Sequence, residues 1–477
     1  MPPKPTMLLI KSGTLVTHEG SAKADILIEG ETIREIGSGL KAPDAEVVNA
    51  AGKLVMPGGV DPHTHFDLEM FSTVTADDHY SGHKAAAFGG TTTVIDFVPQ
   101  PPSGPLRSGV EAWHAKAGPK AAVDWGFHMN ITRLDEDILA EIPRLPGLGI
   151  TTLKVFMAYN GRLRLRDGEI FRVLQTAREQ GMLTMLHAEN GDVIDILVSQ
   201  ALAAGHTSVE WHARTRPVWG GVEAVLRGCA LAAQAEAPLY IVHMNSSGEL
   251  EQLSYARQRG VQAMGETCPQ YLFFTAADLA GPYGAKWVCS PPLRTGQDNE
   301  ALWKGLSTGA FQAIGTDHCS FFLDGTQSID YEGQPAAIPG KELGNGNFAK
   351  IPNGLPMVGD RLPILWTYGV GAGKLTPQQF VALVSTNPAK IFGLYPRKGA
   401  LQPGSDADLV IWDPERQLTY GRKFSKHRTD YNLFEGRQLK GFQEKVYLRG
   451  QLIVDGDRWL GQAGRGRFLS RGEGQFI

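Results

Sequence analysis

"LVMPGGVDPHTHFD", residues 54–67, carries an apolar run into two histidines, His63 and His65, one residue apart. The run "LVMPGG" reads as a short strand. Side chains alternate faces along a strand, so the two imidazoles point the same way. At a strand end they can grip one cation, or they can be two solvated histidines beyond a Gly-Gly turn. The rest of the chain bears on that choice. Apolar runs of the same kind recur as "TTTVIDFVP" (91–99), "VDWGFHMNI" (123–131), "TTLKVFMAY" (151–159) and "MLTMLHAEN" (182–190). Three more follow, "PLYIVHMNS" (238–246), "VQAMGETCP" (261–269) and "AFQAIGTDH" (310–318). Between most of them lie helical patterns such as "EIFRVLQTAREQG" and "GVEAVLRGCALAAQAE". With the strand ending at His65 there are eight candidates. Near-continuous apolar strands alternating with helices predict a buried parallel sheet closed into a TIM-type (β/α)8 barrel, an α/β fold.

The chain ends have a different grammar. "MLLIKSGTLVT", "ADILIEGETIREIG" and "AEVVNAAGKLVM" are short β-rich runs broken by turns, and "GALQPGSDADLVIWDP" and "EKVYLRGQLIVDG" repeat the pattern near the C-terminus. Residues 1–55 and 395–477 are therefore expected to build one smaller β-sandwich domain from both ends, with residues 56–394 forming the barrel. The last stretch, "GQAGRGRFLSRGEGQFI", is basic and Gly-rich and reads as a tail rather than a core element.

Composition excludes several classes. At 477 residues the chain is long enough for a large domain plus a smaller one. Lys+Arg 46 against Asp+Glu 50 gives a net charge of −4, with no basic block to suit a nucleic acid. The start, "MPPKPTMLLIKSG", has too short an apolar run for a signal-peptide core, and nothing approaches the roughly 18 apolar residues of a membrane span. Cys229, Cys268, Cys289 and Cys319 are widely separated, which suits reduced thiols better than a disulfide framework or a zinc ribbon. A cytoplasmic protein is expected.

In a barrel of this kind catalytic groups come from the C-terminal ends of strands. The polar residues there are His63, His65, Lys154, His187, His243 and Asp317. Taken singly, each has a plain structural reading: a satisfied core histidine, a snorkelling lysine, a helix cap. Their common placement at one end of successive strands argues instead for a metal site. Four imidazoles and a carboxylate exceed the usual three protein ligands of one catalytic zinc. Two ions about 3.5–4 Å apart need a bridging anion, and no further carboxylate is obvious at that depth. Lys154 is one option, since a neutral amine can take up CO₂ to give a carbamate with two oxygens, while a buried ammonium beside two cations is costly.

The motifs "PGGVDPHTHFD", "GGTTTVIDF", "TTLKVFMAY", "MLHAENGDVI", "YIVHMNSSGEL", "GETCPQYL", "CSPPLR", "GTDHCSF" and "KIPNGLPMVGDRLPIL" resemble the dihydropyrimidinase/hydantoinase family of cyclic amidohydrolases over nearly the whole chain. The resemblance implies two Zn²⁺ per chain bridged by carboxylated Lys154. His63 and His65 would bind the more buried ion, His187 and His243 the more exposed one, and Asp317 would ligate the buried ion and serve as general base. Tyr159 matches the residue that polarises the scissile carbonyl, and Ser290 and Asn353 match positions that hold the ring amide. The implied reaction is hydrolytic opening of a 5,6-dihydropyrimidine or 5-substituted hydantoin to an N-carbamoyl amino acid. Side-chain tolerance and stereochemistry would depend on Leu68, Met70, Phe71 and Phe156. A homotetramer is implied, with the segment after about residue 440 contributing contacts between subunits. Dihydroorotases typically carry an Arg soon after H-x-H; here "FDLEM" follows, with Asp67 in that place, which favours a neutral ring. Collapsin response mediator proteins share the fold but lack metal ligands, and this chain keeps them.

Other histidines are set aside. His79 and His83, four apart in "DDHYSGHK", read as a solvated helix face rather than a metal face. His212 either touches a subunit interface or lines the site. His318 alternates away from Asp317, toward packing or a supporting role. Cys319 has no partner at catalytic spacing, and His18, His114, His128, His206 and His427 carry no local signal. The rival readings are a mononuclear deaminase or imidase on the same barrel, and a metal-free tetrameric scaffold.

Overall fold

The computed structural model describes residues 7–477. The first six residues of the expected N-terminal unit lie outside the described residues. Five strands open the chain: β1 (Met7–Val16), β2 (Ser21–Glu29), β3 (Thr32–Gly37), β4 (Glu46–Asn49) and β5 (Leu54–Pro57). The barrel follows as β6 (Gly59–Thr64), β7 (Thr91–Val98), β8 (Asp124–Asn130), β9 (Thr152–Phe156), β10 (Leu183–His187), β11 (Leu239–Ile241), β12 (Ala263–Thr267) and β13 (Ala313–Ile314). These eight coincide with the eight apolar runs. They pair in chain order, all parallel. Past β13 the chain bridges back to β6, where the His65 amide donates to the His318 carbonyl at 2.7 Å, so the ring is nearly closed. Every residue of β7 is buried, as expected of a strand covered on both faces.

The C-terminal strands are β14 (Leu409–Thr419), β15 (Gln438–Leu448), β16 (Gln451–Asp455) and β17 (Arg458–Trp459). They join β1–β5 in one nine-stranded sheet of order β17-β16-β15-β14-β5-β1-β2-β3, with β4 beside β1. The two chain ends meet where β14 runs antiparallel to β5, Leu409 opposite Pro57 and Ile411 opposite Val55. Leu8, Ile10, Ile26, Ile28, Val55, Leu409 and Ile411 share its apolar core. From β5 the chain enters β6 through Gly58, where a Cβ would lie 2.1 Å from Thr92 Oγ1, so only glycine fits. A buried ion cluster ties sheet to barrel: Lys398 Nζ lies 2.7 Å from Asp124 at the start of β8 and 2.8 Å from Asp408, and Arg449 also pairs with Asp124.

Two expectations are corrected. The final segment is not a loose tail. The Trp125 amide donates to the Arg467 carbonyl at 3.0 Å and the Leu469 amide to the Trp125 carbonyl at 2.7 Å, so the chain runs beside β8. Leu469 is buried, and Arg471 donates to Thr152 Oγ1 at 2.7 Å on β9. Nor is the helix α1 (His79–Phe88) solvated. It packs between β7 and the C-terminal strands, which leaves it no free polar face, and His79 and His83 are both buried. His83 Nδ1 accepts from the Val123 amide at 3.3 Å, while His79 Nε2 lies 3.6 Å from Asp96. Burial pushes both imidazoles down to about 3. No helix among the described residues is long and apolar enough to cross a membrane.

Candidate metal centre and substrate cavity

The barrel geometry brings the six polar strand-end residues to one place. His63 lies on β6 and His65 just past it, Lys154 on β9, His187 at the end of β10, His243 two residues beyond β11 and Asp317 three beyond β13. All six line a single cavity, together with Tyr159, Ser290, Asn353, Leu68, Met70, Phe71 and Phe156. Asp317 Oδ1 sits 3.1 Å from His63 Nε2 and 3.2 Å from His65 Nε2. His187 Nδ1 faces His243 Nε2 at 3.0 Å. Tyr159, His243, Asp317 and Phe71 all have φ between 40° and 69°, in the left-handed region that side chains usually avoid. Such backbone strain gathers at sites where the surrounding fold dictates the geometry.

Two carboxylates that the sequence reading missed aim these imidazoles. Glu266 Oε1 on β12 is 2.5 Å from His63 Nδ1, and its other oxygen accepts from the Tyr240 hydroxyl at 3.0 Å. Glu189 Oε2 is 3.0 Å from His187 Nε2. A signal was present: "HAEN" places Glu189 two residues after His187, and "GETCP" ends a strand with an acid inside the ring. Each contact assigns a proton to one ring nitrogen, so His63 Nε2 and His187 Nδ1 present lone pairs to the cluster. The lone pair of His63 then points at a carboxylate oxygen, and that of His187 at another imidazole nitrogen. At Asp317, acceptor against acceptor is unfavourable unless a proton or a cation lies between; at His243 the same holds unless its Nε2 carries the ring proton. Two further buried nitrogens, His65 Nδ1 and His243 Nδ1, have no hydrogen-bond partner among the described residues. The ligand atoms of His63, His65 and Asp317 lie within 4.8 Å of one another, and a nitrogen-nitrogen-oxygen set suits zinc. The residues fit a metal.

The electrostatics favour a positive charge, proton or cation, between His63 and Asp317. Burial alone would depress His63, yet the negative charges of Asp317 and Glu266 hold it up at about 9. Burial alone would raise Asp317, but the His63 charge and the hydrogen bonds from His63 and His65 keep its carboxyl well below the ordinary range. Lys154 is buried, with its Nζ 5.2 Å from the Phe97 ring centroid and 5.4 Å from that of Phe156. Among the described residues it forms no ion pair, and burial pulls it down to about 8. Burial also raises the Tyr159 hydroxyl, which keeps it a proton donor.

The remaining walls are held from behind. Asn353 Nδ2 donates to Ser290 Oγ at 3.1 Å. Lys341 Nζ ties the two loops by donating to the Val288 carbonyl at 2.8 Å and the Pro352 carbonyl at 3.3 Å. His212 Nε2 donates to the Cys289 carbonyl at 2.8 Å, so His212 supports the Ser290 loop and does not line the cavity. His318 is likewise supporting: its Nδ1 accepts from the amides of Met357 and Val358 at 3.0 and 3.2 Å. Asp67 departs from expectation. It lies outside the cavity wall, with one oxygen 2.8 Å from Lys120 Nζ and the other accepting the His79 amide at 3.0 Å. Its neutralised charge cannot repel a substrate carboxylate. Arg162, Glu69 and Cys319 line the cavity as well.

A barrel with histidines and an acid converging at its C-terminal mouth defines a class, and a model described as the amidohydrolase family matches residues 54–453. The chain belongs to the amidohydrolase family. D-hydantoinase of Geobacillus stearothermophilus is 45% identical over 466 residues, spanning 97% of this chain and 96% of that protein. The solved structure of dihydropyrimidinase from Brevibacillus agri NCHU1002 has a TM-score of 0.94 at 43% identity and covers 98% of this chain and 100% of that one. That of L-hydantoinase (dihydropyrimidinase) from Arthrobacter aurescens has a TM-score of 0.84 at 29% identity over 97% and 99%. Within the family, this chain is a cyclic amidohydrolase of the hydantoinase/dihydropyrimidinase group.

Proposed function

We propose that this chain opens a 5,6-dihydropyrimidine or a 5-substituted hydantoin by hydrolysis, giving an N-carbamoyl amino acid. The observation that carries the reading is Asp317 Oδ1 shared by two imidazole nitrogens, in a cavity that also holds Lys154, His187, His243 and Tyr159. His63, His65 and Asp317 would hold one zinc ion, His187 and His243 a second, and Lys154 as its carbamate would bridge them. The amine pulled down to about 8 supports that step, since its neutral form is the one that reacts with CO₂. When bound, the ions would make hydroxide available at neutral pH and draw charge from the scissile carbonyl.

The chain's own groups do the rest. The Tyr159 hydroxyl donates to the carbonyl oxygen as negative charge builds there. Asp317 accepts the proton of the attacking water and returns it to the leaving ring nitrogen. Ser290 and Asn353 hold the ring amide, and Leu68, Met70, Phe71 and Phe156 surround its C5 substituent. The likeness to proteins named D-hydantoinase supports a preference for the D form at C5. We assign a cytoplasmic homotetramer, whose oligomeric state light scattering checks. A single-cation site is the second reading, favoured by the compact grouping of His63, His65 and Asp317 alone.

A panel of dihydrouracil, both enantiomers of 5-substituted hydantoins, allantoin and dihydroorotate tests the proposal. Turnover of dihydrouracil or of a hydantoin, allantoin being the 5-ureido member of that class, well above dihydroorotate is expected. Preference for dihydroorotate would contradict it.

A further inference from the structure

Three arginines alternate in "GRLRLRDG", residues 161–168, just past the Tyr159 turn. Two of them are spoken for. Arg164 pairs with Asp192 and donates to Asn160 Oδ1 at 2.8 Å, and Arg166 pairs with Glu169 at 3.0 Å. Arg162 forms no ion pair among the described residues. It is exposed, lines the substrate cavity, and lies with its guanidinium 5.9 Å from the Phe71 ring centroid. The cavity wall offers it little competition: Glu69 has Lys116 at 3.6 Å, Asp317 belongs to the ligand cluster, and Asp67 is turned away onto Lys120. An unpaired, always-charged fork of donors therefore stands beside the apolar residues that surround the C5 substituent.

We propose that Arg162 is a specificity residue that takes the carboxylate of an acidic substituent on the ring. Rings bearing a short carboxyalkyl arm would then be a preferred substrate class. This rests on the ring-opening reading above. The carboxylate set free by ring opening forms at the scissile carbonyl, so it is a different anion from the one assigned here.

The test uses the full chain loaded with zinc and two hydantoins that differ only in the end of the C5 arm, carboxylate against carboxamide, each at two arm lengths. Wild type should favour the carboxylate at one length or both. Arg162→Gln should lose about tenfold in kcat/KM on that acid, the size of one charge-assisted hydrogen bond, and change less than about twofold on the amide. Arg162→Lys should recover part of the loss, and raising the salt should erode the wild-type preference. An acid-to-amide ratio that is the same in wild type and Arg162→Gln overturns the proposal. If wild type opens neither the acids nor the amides, the ring-opening reading itself falls.

Discussion

Replacing Asp317 by asparagine separates a ligand from a base. The residue has φ 51°, in the left-handed region that asparagine tolerates at least as well as aspartate, so the backbone adds no cost. Asparagine keeps an oxygen where Oδ1 lies 3.1 Å from His63 Nε2 and 3.2 Å from His65 Nε2. What it loses is charge and the ability to accept a proton. The Asp317 carboxyl is held well below its usual range, so wild type is fully ionised at any neutral pH and the loss is felt throughout. A positioned base contributes roughly 10²–10⁴-fold, or about 3–5 kcal/mol of barrier. Asp317→Asn, reconstituted to the wild-type metal content, should therefore lose at least about a hundredfold in kcat between pH 6.5 and 8.5. Metal analysis and steady-state kinetics on the same preparation check this. Near-normal turnover by the fully metallated variant would refute the assignment. His318, the adjacent imidazole, is not placed to take over: its Nδ1 accepts from the Met357 and Val358 amides, its Nε2 faces Asp77 at 3.3 Å, and it does not line the cavity.

Glu266→Gln removes the charge that fixes the His63 tautomer, and supporting carboxylates of this kind are worth roughly 10–100-fold in metal affinity. Chelator competition should show a loss in that range, and unchanged affinity would leave Glu266 a mere packing residue. A second consequence concerns acid stability. His83 is held at about 3 against roughly 6.5 when unfolded, so the unfolded chain binds more protons as pH falls through that window and stability drops. One unit below the unfolded value this costs about 1.4 kcal/mol. The stability gap between wild type and His83→Gln in urea should thus narrow by about 1.4 kcal/mol from pH 7.5 to 5.5, and a gap independent of pH would contradict the buried neutral imidazole.

The eight barrel strands were legible because a strand buried on both faces is apolar nearly throughout, and runs such as "TTTVIDFVP", alternating with helical patterns, have that character. The candidate site was legible for a related reason: a polar residue closing such a run breaks its pattern. His63, His65, Lys154, His187, His243 and Asp317 all did so and all reached one cavity. Glu266 and Glu189 were missed because the sequence marks their place at strand ends but not the imidazole nitrogens they contact. His79 and His83 were misjudged because their burial is imposed from outside the helix, by C-terminal strands some hundreds of residues away. Asp67 was given the wrong role for a like reason. Its direction is set by Lys120 and the His79 amide, contacts that a linear reading of "HTHFD" does not contain. The final segment reads by composition as a tail rather than a core element, yet backbone hydrogen bonds to β8, indifferent to side-chain type, fix it.

The most direct test of the account is the chemical state of Lys154 measured beside the metal content of the same preparation. Two zinc ions per chain and a carbamate on Lys154 are predicted, the latter visible as a branched extension of the side chain in density or as a labelled carbon after growth on ¹³C-bicarbonate. Lys154→Ala should lose that signal, the metal and the activity together, with partial recovery of all but the label on adding a short carboxylic acid. Full metal occupancy beside an unmodified Lys154 amine would contradict the account.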